Sequence, residues 1–204
     1  MNKLMVVAVV VAFFAVAGCH DEDTEYVVID NTRSCVSVDE RNPIWLYNTQ
    51  FYGQTTRWAD GNIRVRFPNA GVGELQKLQQ LIDEINPLIA PACQLVIVPW
   101  VWNDYQSAIT IEWPSFVGEF GSGTTERFPI SNYTINKAVI HLAHSISLQG
   151  NVLKRELIHA LGFSGYTHDG GVMDAAISSD IVTPTVHDFL IGLYALPPGS
   201  YVGP

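Results

Sequence analysis

The chain is poor in the residues that would assign it to many common classes. It has few bases, with Lys and Arg numbering 11 against 20 Asp and Glu, for a net charge of −9. That balance argues against a nucleic-acid partner, which demands a basic face. It has only 3 cysteines, too few for a disulfide-rich scaffold. After the first 18 residues no apolar run is long enough to span a membrane as a helix. There is no internal repeat. The glycines between Gly118 and Gly123 are not followed by a Lys-Ser/Thr pair or an evident helix start, so they form no phosphate-binding loop. Ser164, in Phe163-Ser164-Gly165, lacks the flanking glycine of a nucleophile elbow.

What is present begins with Lys3 and the unbroken apolar run Leu4 to Ala17. The run is shorter than the ~20 residues of a spanning helix and suits a signal-peptide core. It ends in Val16-Ala17-Gly18-Cys19, which resembles the bacterial lipobox. The resemblance implies a signal peptide over residues 1–18, cleavage before Cys19 and lipidation of its thiol. Several acyl chains anchor a protein stably where one does not. The acidic stretch from His20 to Glu25 then reads as a tether, and residues 19–56 as anchor, tether and N-terminal arm. The expected location is the cell envelope. His20, rather than Asp, follows the cysteine, which in a Gram-negative host points to the outer membrane, facing the periplasm or the cell surface. Outside the cytoplasm, Cys35 and Cys93 suggest one disulfide, with two buried free thiols as the alternative.

Residues 57–204 read as one α/β (α+β) domain. Ile63, Val65 and Phe67 alternate with Arg64 and Arg66, the period of a half-buried strand over 62–67. Leu75, Leu78, Leu81, Ile82, Ile85, Leu88 and Ile89 recur at helical spacing, and Pro87 and Pro91 mark the helix end. Further strands are expected over 95–98, 108–113 and 137–143, with helices over 151–161 and 185–194. Residues 26–29 suit a short strand. Residues 114–136, rich in Gly, Ser, Thr and Pro, read as a long surface loop with room for a hairpin. Trp100, Trp102, Tyr105 and Trp113 suit core and rim packing, with a glycan or peptide platform as the alternative.

The segment Arg155-Glu156-Leu157-Ile158-His159-Ala160-Leu161-Gly162, running on to Val172-Met173-Asp174, carries the chemistry. It resembles the metzincin zinc peptidases, whose pattern is H-E-x-x-H-x-x-G-x-x-H followed by a Met turn. Glu156, His159, Gly162 and Met173 stand in register. Arg57-Trp58, the strand after them and the closing Leu193-Tyr194 resemble the same family, so the resemblance spans residues 57 to 196. It implies a twisted mixed sheet with a backing helix, an active-site helix and a small C-terminal subdomain bearing the Met turn. It also implies zinc as cofactor, Glu156 as general base and His159 as a ligand.

Two positions depart from the pattern. Arg155 stands where the first zinc-binding His belongs, and Gly165 where the third belongs. Arginine offers only donors and cannot be deprotonated, whereas a catalytic zinc needs three protein ligands and a water. Three readings follow. One is an envelope lipoprotein whose metzincin-like domain has a degenerate zinc site and a binding or accessory role, with a peptide or protein as ligand. Another is an active metallopeptidase with a rearranged ligand set of His159, His168 and one more group, Asp169, His141 and His144 being nearby candidates. The third is a structural envelope lipoprotein. Against the second stand plainer roles: His168 as a solvated loop residue, and His141 and His144 on opposite faces of a strand. In the degenerate site Arg155 is expected to fill the metal position and pair with a carboxylate such as Asp169 or Asp174.

Overall fold

The computed structural model describes residues 20–21, 24–25, 43–48, 53–99, 108–113, 123–130, 133–143, 150–176 and 179–202. Cys19, Cys35, His144, Trp100, Trp102, Tyr105 and residues 26–29 lie outside these. A short antiparallel pair joins β1 (His20–Asp21) to β2 (Thr24–Glu25).

The main sheet grows from β4 (Gly61–Arg66). It is flanked in parallel by β5 (Cys93–Ile97) and β6 (Ala108–Glu112), and β8 (Thr134–Leu142) pairs in parallel with β6. Parallel strands are buried on both faces and so read as β-branched runs. Ile97, Val65, Ile109 and Ala138 form one continuous row across the four strands. The short β3 (Arg57–Trp58) pairs in parallel with the start of β8. The last strand, β7 (Gly123–Ile130), is antiparallel to β8 and joined to it as a hairpin. It falls within the stretch read from sequence as a surface loop.

Helix α2 (Val72–Ile89) buries Leu78, Leu81, Ile82, Ile85 and Ile89, each at most 1% exposed. Each such side chain contributes about 2 kcal/mol of transfer free energy. Glu74 accepts the N–H of Gly71 at 2.5 Å and tethers the first turn. The helix ends at Ile89, between the Pro87 and Pro91 that mark its end, with Pro87 accommodated in the last turn. The carbonyl that loses its partner to Pro87 belongs to exposed Asp83, where water can satisfy it. Lys154 on α3 (Gly150–Ala160) reaches Glu84 of α2 at 2.6 Å.

Residues of the expected N-terminal arm belong to the same core. Helix α1 (Pro43–Asn48) buries Ile44 and Asn48 against α4 (Pro184–Ala195), and Tyr47 stacks on Phe163 at 4.3 Å. The chain end closes over this region. Thr55 N–H donates to Ser200 O, Gly199 N–H to Thr55 O and Val202 N–H to Gly53 O, each at 2.8 Å. Arg57, only 2% exposed, donates to Leu196 O and Trp58 O, pairs with Asp60 and packs on the Tyr194 ring. The thiol of Cys93 is free and buried, directed at Ala59 O and the Arg57 guanidinium. It makes no disulfide here, and burial pushes its pKa up. No helix among the described residues is long and apolar enough to cross a membrane.

The C-terminal end of α3 is set by Gly162. Its φ of +121° favours glycine, and an added Cβ would lie 3.0 Å from Asn48 Nδ2 and Thr56 O. Gly162 N–H donates to His159 O and Phe163 N–H to Ile158 O, the two bonds of a Schellman motif. Replacing Gly162 by Ala is expected to lower stability by about 2 kcal/mol, read as a fall in Tm of several degrees. An unchanged Tm would mean that this turn does not constrain the fold.

Candidate functional site

Helix α3 is amphipathic. Leu153, Leu157 and Ile158 are fully buried on one side, while Arg155 and His159 are only partly covered. Arg155 and His159 stand one turn apart, so both side chains project toward the same loop.

Among the described residues the guanidinium of Arg155 makes no ion pair with a carboxylate. Its Nε donates to Val172 O at 2.9 Å and its Nη2 to Asp174 O at 3.2 Å. These carbonyls belong to the turn Gly171–Asp174, closed by Asp174 N–H donating to Gly171 O at 3.0 Å. Met173 lies in that turn, fully buried in the core. Arg155 therefore fixes the Met-bearing turn to the site helix through main-chain acceptors. The carboxylates expected to pair with it are occupied elsewhere. Asp169 accepts from Thr167 Oγ1 at 2.7 Å and Thr183 Oγ1 at 2.6 Å. Asp174 accepts from the N–H groups of Gly170 and Ala176.

His159 Nδ1 is 2.9 Å from Phe163 O, which makes Nδ1 the protonated nitrogen of the neutral ring. Burial first, with the positive charges of Arg127 and Arg155 adding to it, pulls its pKa down to about 4 against the pull of the Phe163 carbonyl. The ring meets Tyr166 edge-on at 5.7 Å, and Tyr166 in turn carries the Arg155 guanidinium at 5.9 Å from its centre.

Glu156 points elsewhere. Its carboxylate accepts Thr125 Oγ1 at 2.5 Å, and Gly123 of β7 crosses so close that a Cβ there would lie 3.1 Å from Glu156 Cγ. Burial raises the Glu156 pKa, opposed by the Thr125 hydroxyl and by Arg155.

The sequence thus located Arg155, Glu156, His159 and Met173 on the right elements. The structure brings together Arg155, His159 and the Met173 turn, while Glu156 turns to β7. His168 is exposed on the following loop, and Gly165, with φ of +79°, faces open space. His141 Nδ1 lies 3.3 Å from Glu112 Oε1, close enough for an ion pair but off-line for a hydrogen bond. The reading missed Thr125 and Arg127, the latter donating Nη2 to Ser164 Oγ at 2.6 Å. The structure shows Thr125 and Arg127 alternating with the exposed Glu126 and Phe128, but the inward residues are polar, so the sequence carries no apolar alternation to mark them.

These residues do not fit a zinc ion. One imidazole, a guanidinium and a glycine cannot supply three lone pairs. No group of three His, Cys, Asp or Glu is gathered for a metal among the described residues, and His144, one of the candidate ligands, lies outside them.

No protein-family model and no curated protein matches the chain. Among solved structures it is similar to high choriolytic enzyme 1, a hatching enzyme zinc-protease from Oryzias latipes (medaka fish). The identity is 11% and the TM-score 0.34, over 65% of this chain. The match spans 55% of that chain's length. The likeness is weak.

Because the folded His159 pKa lies below its unfolded value, this residue adds stability that is complete above about pH 6.5. That contribution is lost as pH falls toward 4. Glu156 has the opposite sign, since a raised carboxyl pKa costs stability as pH rises through it. Glu156→Gln is therefore expected to gain in Tm over the wild type between pH 4 and neutrality. A Tm difference that stays flat across that range would contradict the burial of this carboxylate. An NMR titration should find the His159 ring neutral down to about pH 4.

Proposed function

We propose that this chain is an envelope lipoprotein whose metzincin-type domain has a degenerate zinc site and a binding or accessory role. The observation that carries this reading is Arg155. At the position of the expected first ligand, its guanidinium holds the carbonyls of Val172 and Asp174 around buried Met173. A fixed positive charge there replaces the bridging role of a metal and repels a cation.

Other features support the same reading. Glu156, His159, Gly162 and Met173 keep the family's spacing. A single antiparallel edge strand, β7, lies over α3 and pairs only with β8 among the described residues. Its other edge offers main-chain groups to an extended peptide, the usual chemistry of strand addition. The general base of an active enzyme must reach a metal-bound water, and the carboxylate of Glu156 is instead engaged by Thr125. The lipobox-like Val16-Ala17-Gly18-Cys19 supports a lipid anchor in the envelope, so the membrane is one partner and a peptide or protein the other.

The test is the zinc content and peptidase activity of the purified chain, prepared with zinc present, beside His159→Ala. We expect no metal above the variant and no hydrolysis. One tightly held equivalent of zinc, lost in His159→Ala, would overturn the reading in favour of a rebuilt metallopeptidase.

A further inference from the structure

The loop after α3 gathers two arginines from different elements around one open position. Arg127 of β7 donates to Ser164 Oγ at 2.6 Å. Two residues on, the Tyr166 ring carries the Arg155 guanidinium at 5.9 Å and the His159 ring at 5.7 Å. Both guanidinium charges bear on the His159 ring, and the two contacts are made by the chain neighbours of Gly165. There a Cβ would meet nothing within 4 Å.

Neither Arg127 nor Arg155 is in an ion pair among the described residues. Glu156 is held by Thr125, and Asp169 by Thr167 and Thr183. Burial lowers the Arg127 pKa, the mark of a cation stripped of water. A guanidinium in that state is costly until an oxyanion answers it, and its planar fork matches a carboxylate edge to edge. Arg127 also sits on the strand whose outer edge can take an extended peptide.

We propose that Arg127 and Arg155, on either side of Gly165, bind the C-terminal carboxylate of a peptide laid along β7. The inference rests on the binding reading given above and names its ligand. Position and charge agree: the peptide backbone would follow β7 and its terminal charge would enter the gap at Gly165.

The experiment is a calorimetric or NMR titration of the full chain, at low salt, with tetra-alanine as the free acid and as the C-terminal amide. Zinc content is measured on the same samples. The free acid should bind saturably and at least about tenfold more tightly than the amide. Arg127→Gln should abolish that preference while Tm stays near wild type, because Arg127 anchors only Ser164. This variant is chosen over any at Arg155, whose loss also frees two loop carbonyls. Equal binding of acid and amide, no binding of either, or an unchanged preference in Arg127→Gln would overturn the carboxylate site. Zinc held through His159 would overturn the underlying reading as well, whereas zinc-free protein without acid preference would overturn this inference alone.

Discussion

A helix that ends inside a protein leaves carbonyls that must find donors, and the end of α3 shows how much of this fold answers that demand. Ile158 O and His159 O are taken by the Schellman turn at Gly162. Ala160 O receives Trp58 Nε1 at 2.9 Å, Leu161 O receives the Tyr194 hydroxyl at 3.0 Å, and Gly162 O receives Asn48 Nδ2 at 2.8 Å. Each unmet carbonyl would cost about 1–3 kcal/mol. β3, α4 and α1 are therefore all tied to the same turn. Asn48 also bonds both main-chain groups of Thr56, its Oδ1 taking the N–H and its Nδ2 giving to the carbonyl, so with Gly162 O both donor sites of this buried amide have acceptors.

The same turn aims the site. The helix face bearing Arg155 and His159 is fixed relative to the loop that descends through Ser164, Gly165 and Tyr166. In a metal centre the ligands converge on a cation and the surroundings are tuned to feed it electrons. Here the convergence is inverted. Two guanidinium groups and a neutral imidazole line the loop, and main-chain oxygens of Val172 and Asp174 accept from one of them. The Met173 turn keeps its place because a single side chain, covalently part of α3, performs the tethering.

What could be read from sequence was what is locally encoded. The 3.6-residue spacing of α2 and the glycine that stops α3 need only neighbours within a turn, and both are where the pattern puts them. Strand β7 was hidden because Thr125 and Arg127 face inward as polar groups, so its alternation carries no hydrophobic contrast, and Pro129 argues for a loop. Helix α1 was hidden because it is six residues long and its key partner is Gly162, 114 positions away. The direction of Glu156 depended on Thr125, from an element not recognised. The end of α2 was legible too: it falls between Pro87 and Pro91, and the bond that Pro87 removes is one an exposed carbonyl does not need. The placement of Glu156 and His159 on a helix and of Gly162 and Met173 after it was legible, but Arg155 was expected to seek a carboxylate, and no local pattern shows that two loop carbonyls would be turned toward it.

The clasp between the two ends of the domain bears on how the protein comes to be folded at all. Arg57 bonds Leu196 across 139 positions and Thr55 bonds Pro197 across 142. Contacts of such sequence separation carry a large loop-closure entropy and form late. A chain emerging N-terminus first cannot satisfy Thr55, Arg57 or the carbonyl of Leu161 until residues 194–197 are available. Partial lengths stay open, with buried-polar positions still hydrated. The architecture thus makes completion of the polypeptide a precondition for its own closure.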